Sequence, residues 1–195
     1  MEDYIEKEIK FKIDNIETIL NKLLKQGAEK IGSAFQRTVR VDTENKSLEN
    51  EGKFLRVRSG FKNVITLKIK CKNSSTNVFE RKEIEIELPE TEKMRRILNE
   101  LGYSNECIME KYRLNLKLGD IDISLDELPF GLFIELEGEE DKIFDLAQKL
   151  DLKEKIIVTY WDLFEDWKQE QNEIDLGKDI VFCENYESKI KCFDT

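Results

Sequence analysis

Glu6-Lys7-Glu8-Ile9-Lys10 decides how the rest of this chain is read. As a strand it alternates: Glu6, Glu8 and Lys10 face one way, and Ile5, Lys7, Ile9 and Phe11 the other. Two carboxylates at i and i+2 on one face repel unless a cation lies between them. A hard divalent ion such as Mg2+ would serve, because it takes oxygen ligands and keeps places open for phosphate oxygens. The same pattern is also what a half-solvated antiparallel strand shows, apolar side in and charged side out.

The pattern recurs along the chain. Arg56 and Arg58 share a strand face, as do Thr66, Lys68, Lys70 and Lys72. Arg81, Glu83, Glu85 and Glu87 alternate with Ile84, Ile86 and Leu88. Lys111, Arg113, Asn115 and Lys117 alternate with Tyr112, Leu114, Leu116 and Leu118. Asp122, Ser124 and Asp126 oppose Ile121, Ile123 and Leu125, and Glu135 and Glu137 oppose Ile134 and Leu136. Strands are therefore predicted near 5–11, 34–42, 54–58, 63–72, 78–88, 106–118, 121–127 and 132–137, with Gly119-Asp120 as a tight turn.

Helical spacing interrupts them. Ile16, Ile19, Leu20, Leu23 and Leu24 predict a helix over 15–26, capped by Asp14 or Asn15 and stopped at Gly27. Met94, Ile97, Leu98 and Leu101 mark another over 91–101, with no capping box. Ile143, Leu146, Ala147 and Leu150 mark a third over 139–150, and a fourth covers 158–168. Residues 43–53 and 73–77 read as loops, and Ile180-Val181-Phe182 as a short added strand. With two prolines and neither repeat nor linker, one domain is expected over 1–167, followed by a C-terminal extension over 168–195.

Composition narrows the chemistry. Of 195 residues 38% are charged and 39% hydrophobic, with a formal net charge of −10. That balance argues against sequence-specific nucleic-acid binding, which wants a basic face. No apolar run approaches a membrane span, and no basic-then-apolar leader precedes Glu2, so the expectation is a cytoplasmic protein without a membrane partner. The four cysteines form no C-x-x-C pair; Cys183 and Cys192 could pair if oxidised, and Cys71 reads as a packing residue. Histidine is absent, which removes Ser-His and Cys-His nucleophiles and disfavours a zinc enzyme. Chemistry falls to carboxylates, lysines, arginines, tyrosines or a carboxylate-held metal.

Two arrangements fit the alternation. An open sheet could pack helices on its apolar face and leave its charged face in water, or the sheet could curl into a barrel with the charge inside and helices outside. Clustering of like charge within single strands leans towards the barrel, because a solvated sheet gains little from Lys68, Lys70 and Lys72 in one row. Physics alone leaves both open.

The ordered series resembles the CYTH superfamily, the triphosphate tunnel metalloenzymes. It runs from the Glu-x-Glu-x-Lys signature at Glu6, Glu8 and Lys10 through Gln36 and Asp42, Leu55-Arg56-Val57-Arg58, Thr66-Leu67-Lys68-Ile69-Lys70, Arg81-Lys82-Glu83-Ile84-Glu85 and Lys111-Tyr112-Arg113. It then passes through Leu125-Asp126-Glu127, Gly131 and Phe133-Ile134-Glu135-Leu136-Glu137, and closes on Thr159-Tyr160-Trp161-Asp162-Leu163. The resemblance implies an α+β fold, an eight-stranded antiparallel barrel with helices packed outside. It also implies one of the family's activities: hydrolysis of inorganic, thiamine or RNA triphosphate, or cyclisation of ATP by a class IV adenylate cyclase.

By position, the resemblance assigns a divalent metal, Mg2+ or Mn2+, to Glu6, Glu8 and Glu135, with Glu137, Glu85 and Asp126 as further candidates. Lys10, Arg56, Arg58, Lys68, Lys70, Lys111 and Arg113 would grip the triphosphate, and Glu8, Lys10 and Lys68 stand closest to the chemistry. Expected partners are a small-molecule triphosphate and, for an acidic barrel with a trailing segment, a second copy in a homodimer.

The chain departs from the family in two places. The His-Phe pair of class IV cyclases is missing, and Thr38 and Arg40 stand where an acid and an aromatic are frequent. Metal-dependent hydrolysis of a triphosphate is the leading expectation; the cyclase and a non-catalytic phosphate-binding module are the alternatives. Trp161, Trp167 and Tyr160 read as helix-packing residues rather than stacking platforms, and Lys72, Lys117, Arg81 and Glu87 as rim residues.

Overall fold

The computed structural model describes residues 4–71, 78–171 and 176–190. The expected loop over 73–77, Lys72 and Cys192 lie outside these residues. The sheet comprises β1 (Tyr4–Ile13), β2 (Glu29–Asp42), β3 (Lys53–Ser59), β4 (Val64–Lys70), β5 (Phe79–Glu87), β6 (Asn105–Leu118), β7 (Ile121–Leu128) and β8 (Gly131–Glu137), plus the two-residue β9 (Lys155–Ile156). The helices are α1 (Ile16–Lys25), the single turn α2 (Ser47–Asn50), α3 (Thr91–Glu100), α4 (Glu140–Leu150) and α5 (Tyr160–Gln171).

Eight strands hydrogen-bond in the order β5-β4-β3-β2-β6-β7-β8-β1, and β1 returns to β5, so the sheet closes into a ring. Every neighbouring pair in that ring is antiparallel. β1 is the seam: Tyr4 to Glu8 pair with β5, while Glu8 to Ile13 pair with β8. β9 continues the β5 edge, with Lys10 opposite Ile156 and Phe11 opposite Lys155. Of the two arrangements the alternation allowed, the closed one forms.

The apolar faces of β1, β6, β7 and β8 point outward under helices, whereas Ile84 and Ile86 of β5 lie exposed. Ile9, Leu114, Leu116, Ile123, Leu125, Ile134 and Leu136 are fully buried beneath the stripes of α1 and α4, which contribute Leu20, Leu23, Ile143 and Leu150. Fully burying each such side chain is worth about 1.5–3 kcal/mol, so this layer is a principal stabilising term. Asn15, not Asp14, caps α1: its Oδ1 accepts from the Thr18 amide at 2.8 Å. Gly27, at φ +90°, ends that helix, and the Ala28 amide returns to the Leu23 carbonyl at 3.1 Å. α3 covers β2 and β3 through Leu98 and Met94, packed on Val39, Val41 and Val57.

Two boundaries differ from the sequence reading. β2 begins at Glu29 rather than near 34, and a register shift between Lys30 and Gly32 breaks the alternation that would have shown it. The expected loop over 43–53 contains α2, because buried Asp42 collects its first amides. Asp42 accepts from Thr43 at 2.7 Å, Leu48 at 3.0 Å and Glu49 at 3.0 Å. Burial alone would raise this carboxyl's pKa; the three amides outweigh it and bring the pKa below its ordinary value.

Ile180 makes one parallel bridge to Met109 rather than a strand of its own. Among the described residues no helix is long and apolar enough to cross a membrane.

Candidate active site

The ring encloses a cavity of about 680 Å³ lined by charge. β1 supplies Glu6, Glu8 and Lys10, and β8 supplies Glu135 and Glu137. β3 supplies Arg56 and Arg58, β4 Lys68, β5 Arg81, Glu83 and Glu85, and β6 Lys111 and Arg113. Alternation puts these side chains inside, their strand neighbours facing outward.

Lys10 is only 2% exposed. Its Nζ meets Glu8 Oε1 at 2.9 Å and Glu135 Oε1 at 3.6 Å, and donates to the Val158 carbonyl at 3.4 Å. Burial would lower its pKa, but Glu8 and Glu135 raise it above the ordinary lysine value. Lys68 bridges Glu6 and Glu83, the latter at 2.9 Å. Arg58 reaches Glu85 at 3.4 Å, and Thr66 Oγ1 donates to the same carboxylate at 2.8 Å. Burial first, then Arg56 and Arg113 nearby, push the Arg58 pKa down to about 10. Arg56 lies 3.9 Å from Glu83, and its buried Nε has no acceptor among the described residues.

On the β6 side Asp126, wholly buried, takes donors on both oxygens. Arg113 Nε reaches Oδ1 at 2.6 Å; Arg113 Nη2, Lys111 Nζ and Tyr160 Oη reach Oδ2 at 2.5, 2.9 and 2.9 Å. Arg113 Nη2 also donates to Glu135. Burial favours the neutral acids, but Arg113 and Lys111 overcome it. Asp126 is held below, and Glu135 well below, the ordinary carboxylate range. Lys111 goes the other way: burial, then the adjacent Arg113, push it down to about 8. Burial, followed by Asp126 and Glu135, drives Tyr160 well above the ordinary phenol value.

Most residues named from the sequence meet in this cavity; two do not line it. Lys70 sits exposed at the end of β4, its register partner Arg81, so sharing the Lys68 face does not carry it inside. Asp126 lies behind the wall, its oxygens taken by four donors.

Four residues read as packing or rim behave otherwise. Arg81 lines the cavity, donates to the Gly52 carbonyl at 3.3 Å and sits over the Phe79 ring. Tyr160 packs on Phe133 yet turns its hydroxyl to Asp126, so its helical spacing hid a polar role. Trp161 stands 5.5 Å from Phe54, and both line the cavity. Cys71 is half-buried just beyond β4 rather than a core residue. Trp167 packs with Phe130 and Phe164, and Lys117 and Glu87 lie at exposed strand ends, as read. Glu83, quoted in the sequence motif but given no site role there, also lines the cavity and pairs with Lys68.

The acidic side chains suit a hard divalent ion in kind. All are oxygen donors, and register sets Glu8 directly opposite Glu137, and Lys10 opposite Glu135. Facing carboxylates favour a cation between them. In the present arrangement lysine and arginine groups occupy the spaces between acids, and among the described residues no three acidic, cysteine or histidine side chains converge tightly enough to hold an ion.

A closed antiparallel tunnel with acidic and basic side chains turned inward defines a class of charge-lined barrel. Residues 4–160 match the CYTH domain model, and the chain belongs to that family. A Methanocaldococcus jannaschii protein, provisionally described as an adenylate cyclase, is 32% identical over 149 residues, covering 72% of this chain and 84% of that one.

Among solved structures, a Vibrio parahaemolyticus protein with the same provisional description aligns at TM-score 0.72 and 20% identity, over 84% of this chain and 99% of its own. A Hippeastrum protein, HpAC1, described as having a dominant triphosphatase activity, aligns at TM-score 0.55 and 16% identity, over 83% and 95%. These two similarities establish the fold.

Proposed function

We propose that the chain is a divalent-metal-dependent triphosphate hydrolase whose substrate threads the barrel. The carrying observation is Arg56, Arg58, Lys68, Lys111 and Arg113 converging on one enclosed cavity, with a buried Arg56 Nε still open to an acceptor. The arginines fork onto phosphate oxygens bidentately, while Lys10, Lys68 and Lys111 act as point charges.

Glu6, Glu8, Glu135 and Glu137 would hold Mg2+ or Mn2+, with Glu85 at the edge of the set. The ion, when bound, supplies charge neutralisation and a more acidic water. Asp126 is assigned to orient Lys111, Arg113 and Tyr160 rather than to bind metal. As the oxygen of the attacking water bonds to the terminal phosphorus, Glu8 takes its proton and releases it to solvent, and the bond from that phosphorus to its bridging oxygen breaks, the electron pair leaving on the phosphate oxygen beside the Lys10 and Lys68 ammonium groups. Enclosure strengthens each of these electrostatic contacts relative to open water.

The second reading is a cyclase, favoured by the description of the Methanocaldococcus relative and by Phe54, Phe79 and Trp161 beside the charged groups. Incubating the protein with tripolyphosphate, thiamine triphosphate and ATP, each with Mg2+ or Mn2+, and separating the products tests both. Phosphate release supports the hydrolase, and cyclic AMP selects the cyclase. Tight tripolyphosphate binding without turnover would leave a phosphate-binding module.

A further inference from the structure

Beyond the family match, residues 176–190 return to the barrel and grip it at two places. The first is the edge of β6. Tyr112 to Leu118 of β6 pair with β7, so that strand leaves the edge ahead of Tyr112 open. The returning segment fills it. The Ile180 amide donates to the Ile108 carbonyl at 2.8 Å, the Glu110 amide to the Ile180 carbonyl at 2.7 Å, and the Ile108 amide to Asp179 Oδ1 at 2.8 Å. Ile180 is fully buried beside Met109, Phe133 and Tyr160.

The second grip is Glu127, wholly buried on the outer face of β7, one residue from Asp126. Its carboxylate accepts from Tyr186 Oη at 2.7 Å, Ser188 Oγ at 2.6 Å, the Lys189 amide at 2.9 Å and the Ile190 amide at 3.2 Å. Phe182 stacks on Tyr186 at 4.4 Å and touches Tyr112 at 5.3 Å, which ties the two grips together. A carboxylate so enclosed costs free energy unless its oxygens are filled, and the four donors named all come from this one segment.

We propose that the returning segment is a positioning element of the triphosphate site: it fixes the 108–111 stretch of β6 so that Lys111 is held in the cavity wall, with Glu127 as its latch. The proposal rests on the functional reading above, and its positioning residues, Ile180 and Glu127, do not line the cavity. Met109 and Lys111, both cavity-lining, flank Glu110, whose amide the segment binds. Release of the segment leaves the backbone of that stretch of β6 paired with β2 on one side, and the Lys111 ammonium bonded to Asp126.

The test compares the full chain with Glu127→Gln, which sets an amide donor against the Lys189 and Ile190 donors, and with Ile180→Pro, which deletes the donor to Ile108. Hydrogen exchange reads the Ile108 and Glu110 amides, and calorimetry reads tripolyphosphate binding. Both variants are expected to exchange faster at those amides and to bind about tenfold more weakly. The loss is not to add to that of Lys111→Met in the double variant, because both act through one side chain. A variant that releases the segment yet binds as tightly as wild type overturns this proposal alone, as does full additivity with Lys111→Met. Unchanged exchange in both variants overturns the latch. A wild-type chain that binds no tripolyphosphate overturns the functional reading and this proposal with it.

Discussion

Arg113 clasps Asp126 with two donors, Nε to Oδ1 at 2.6 Å and Nη2 to Oδ2 at 2.5 Å, in a place water does not reach. The fork orients a guanidinium whose other contact is Glu135, so one wholly buried acid sets the geometry of a cation and of a second acid. Removing such an acid leaves Lys111 without its carboxylate and Arg113 with Glu135 as its remaining acidic partner. Asp126→Asn is expected to destabilise the fold by about 3–5 kcal/mol. Urea denaturation monitored by tryptophan fluorescence measures it; a loss within error of zero contradicts the arrangement.

Acid should act on the same group. The folded pKa values of Asp126 and Glu135 lie below their unfolded values, so the unfolded state binds more protons as pH falls. Their stabilisation is complete above the ordinary carboxylate range, near pH 4–5, and drains away as pH drops towards the depressed values. Denaturation midpoints between pH 6 and 2 should show this slope, and Asp126→Asn should flatten it.

Lys111 predicts an alkaline effect of opposite functional sign. With a folded pKa of about 8, it is a cation at neutral pH and loses its charge above that value. Affinity for tripolyphosphate should therefore decline through pH 8–9, and Lys111→Met should be weaker at pH 7 and lack that limb. Between about 8 and the ordinary lysine value the unfolded chain binds more protons than the folded one, so this residue makes stability rise with pH there. Calorimetric titrations at pH 7, 8 and 9 decide the first point.

Arg58 and Glu8 should separate binding from turnover. Arg58→Ala removes charge-assisted contacts worth about 1.5–3 kcal/mol, a loss of roughly 10–100-fold in affinity. Glu8→Gln keeps the shape but not the base, and is expected to lower turnover by about 10²-fold or more. Activity should vanish with chelator and return with Mg2+ or Mn2+. Steady-state rates over a substrate series, alongside direct binding, distinguish the two variants.

The N-cap offers a control away from the cavity. Asn15→Ala deletes the bond to the Thr18 amide and should cost about 1 kcal/mol of stability with unchanged tripolyphosphate affinity. Thermal melts and calorimetry on the same sample show both.

The strands and the helices α1, α3 and α4 were legible because period-two and helical spacing each leave a clear record, as in Lys111 to Leu118 and Ile16 to Leu24. Alternation names a face but not a depth. It groups Lys70 with Lys68, although one lies at the exposed strand end and the other inside. It also could not choose among Arg81, Glu83 and Glu85, which all share one face and all line the cavity.

Tyr160 escaped because an aromatic at the start of a helix looks like packing until its hydroxyl is seen on Asp126. Glu127 stands in the quoted motif, but its donors left no mark: they are two amides, a serine and a tyrosine in a stretch with no period.

The seam at β1 has a consequence for how the chain is made. Glu8 is the last β1 residue bonded to β5 and the first bonded to β8, so the signature strand finds its second neighbour only after most of the barrel has been synthesised. Until residues 132–137 leave the ribosome, Glu8, Ile9 and Phe11 wait with an open edge, and non-local closure of this kind is slow. The two acids and the lysine at the front of the chain would then double as an electrostatic guard, keeping the nascent edge from joining other chains before its own partner arrives.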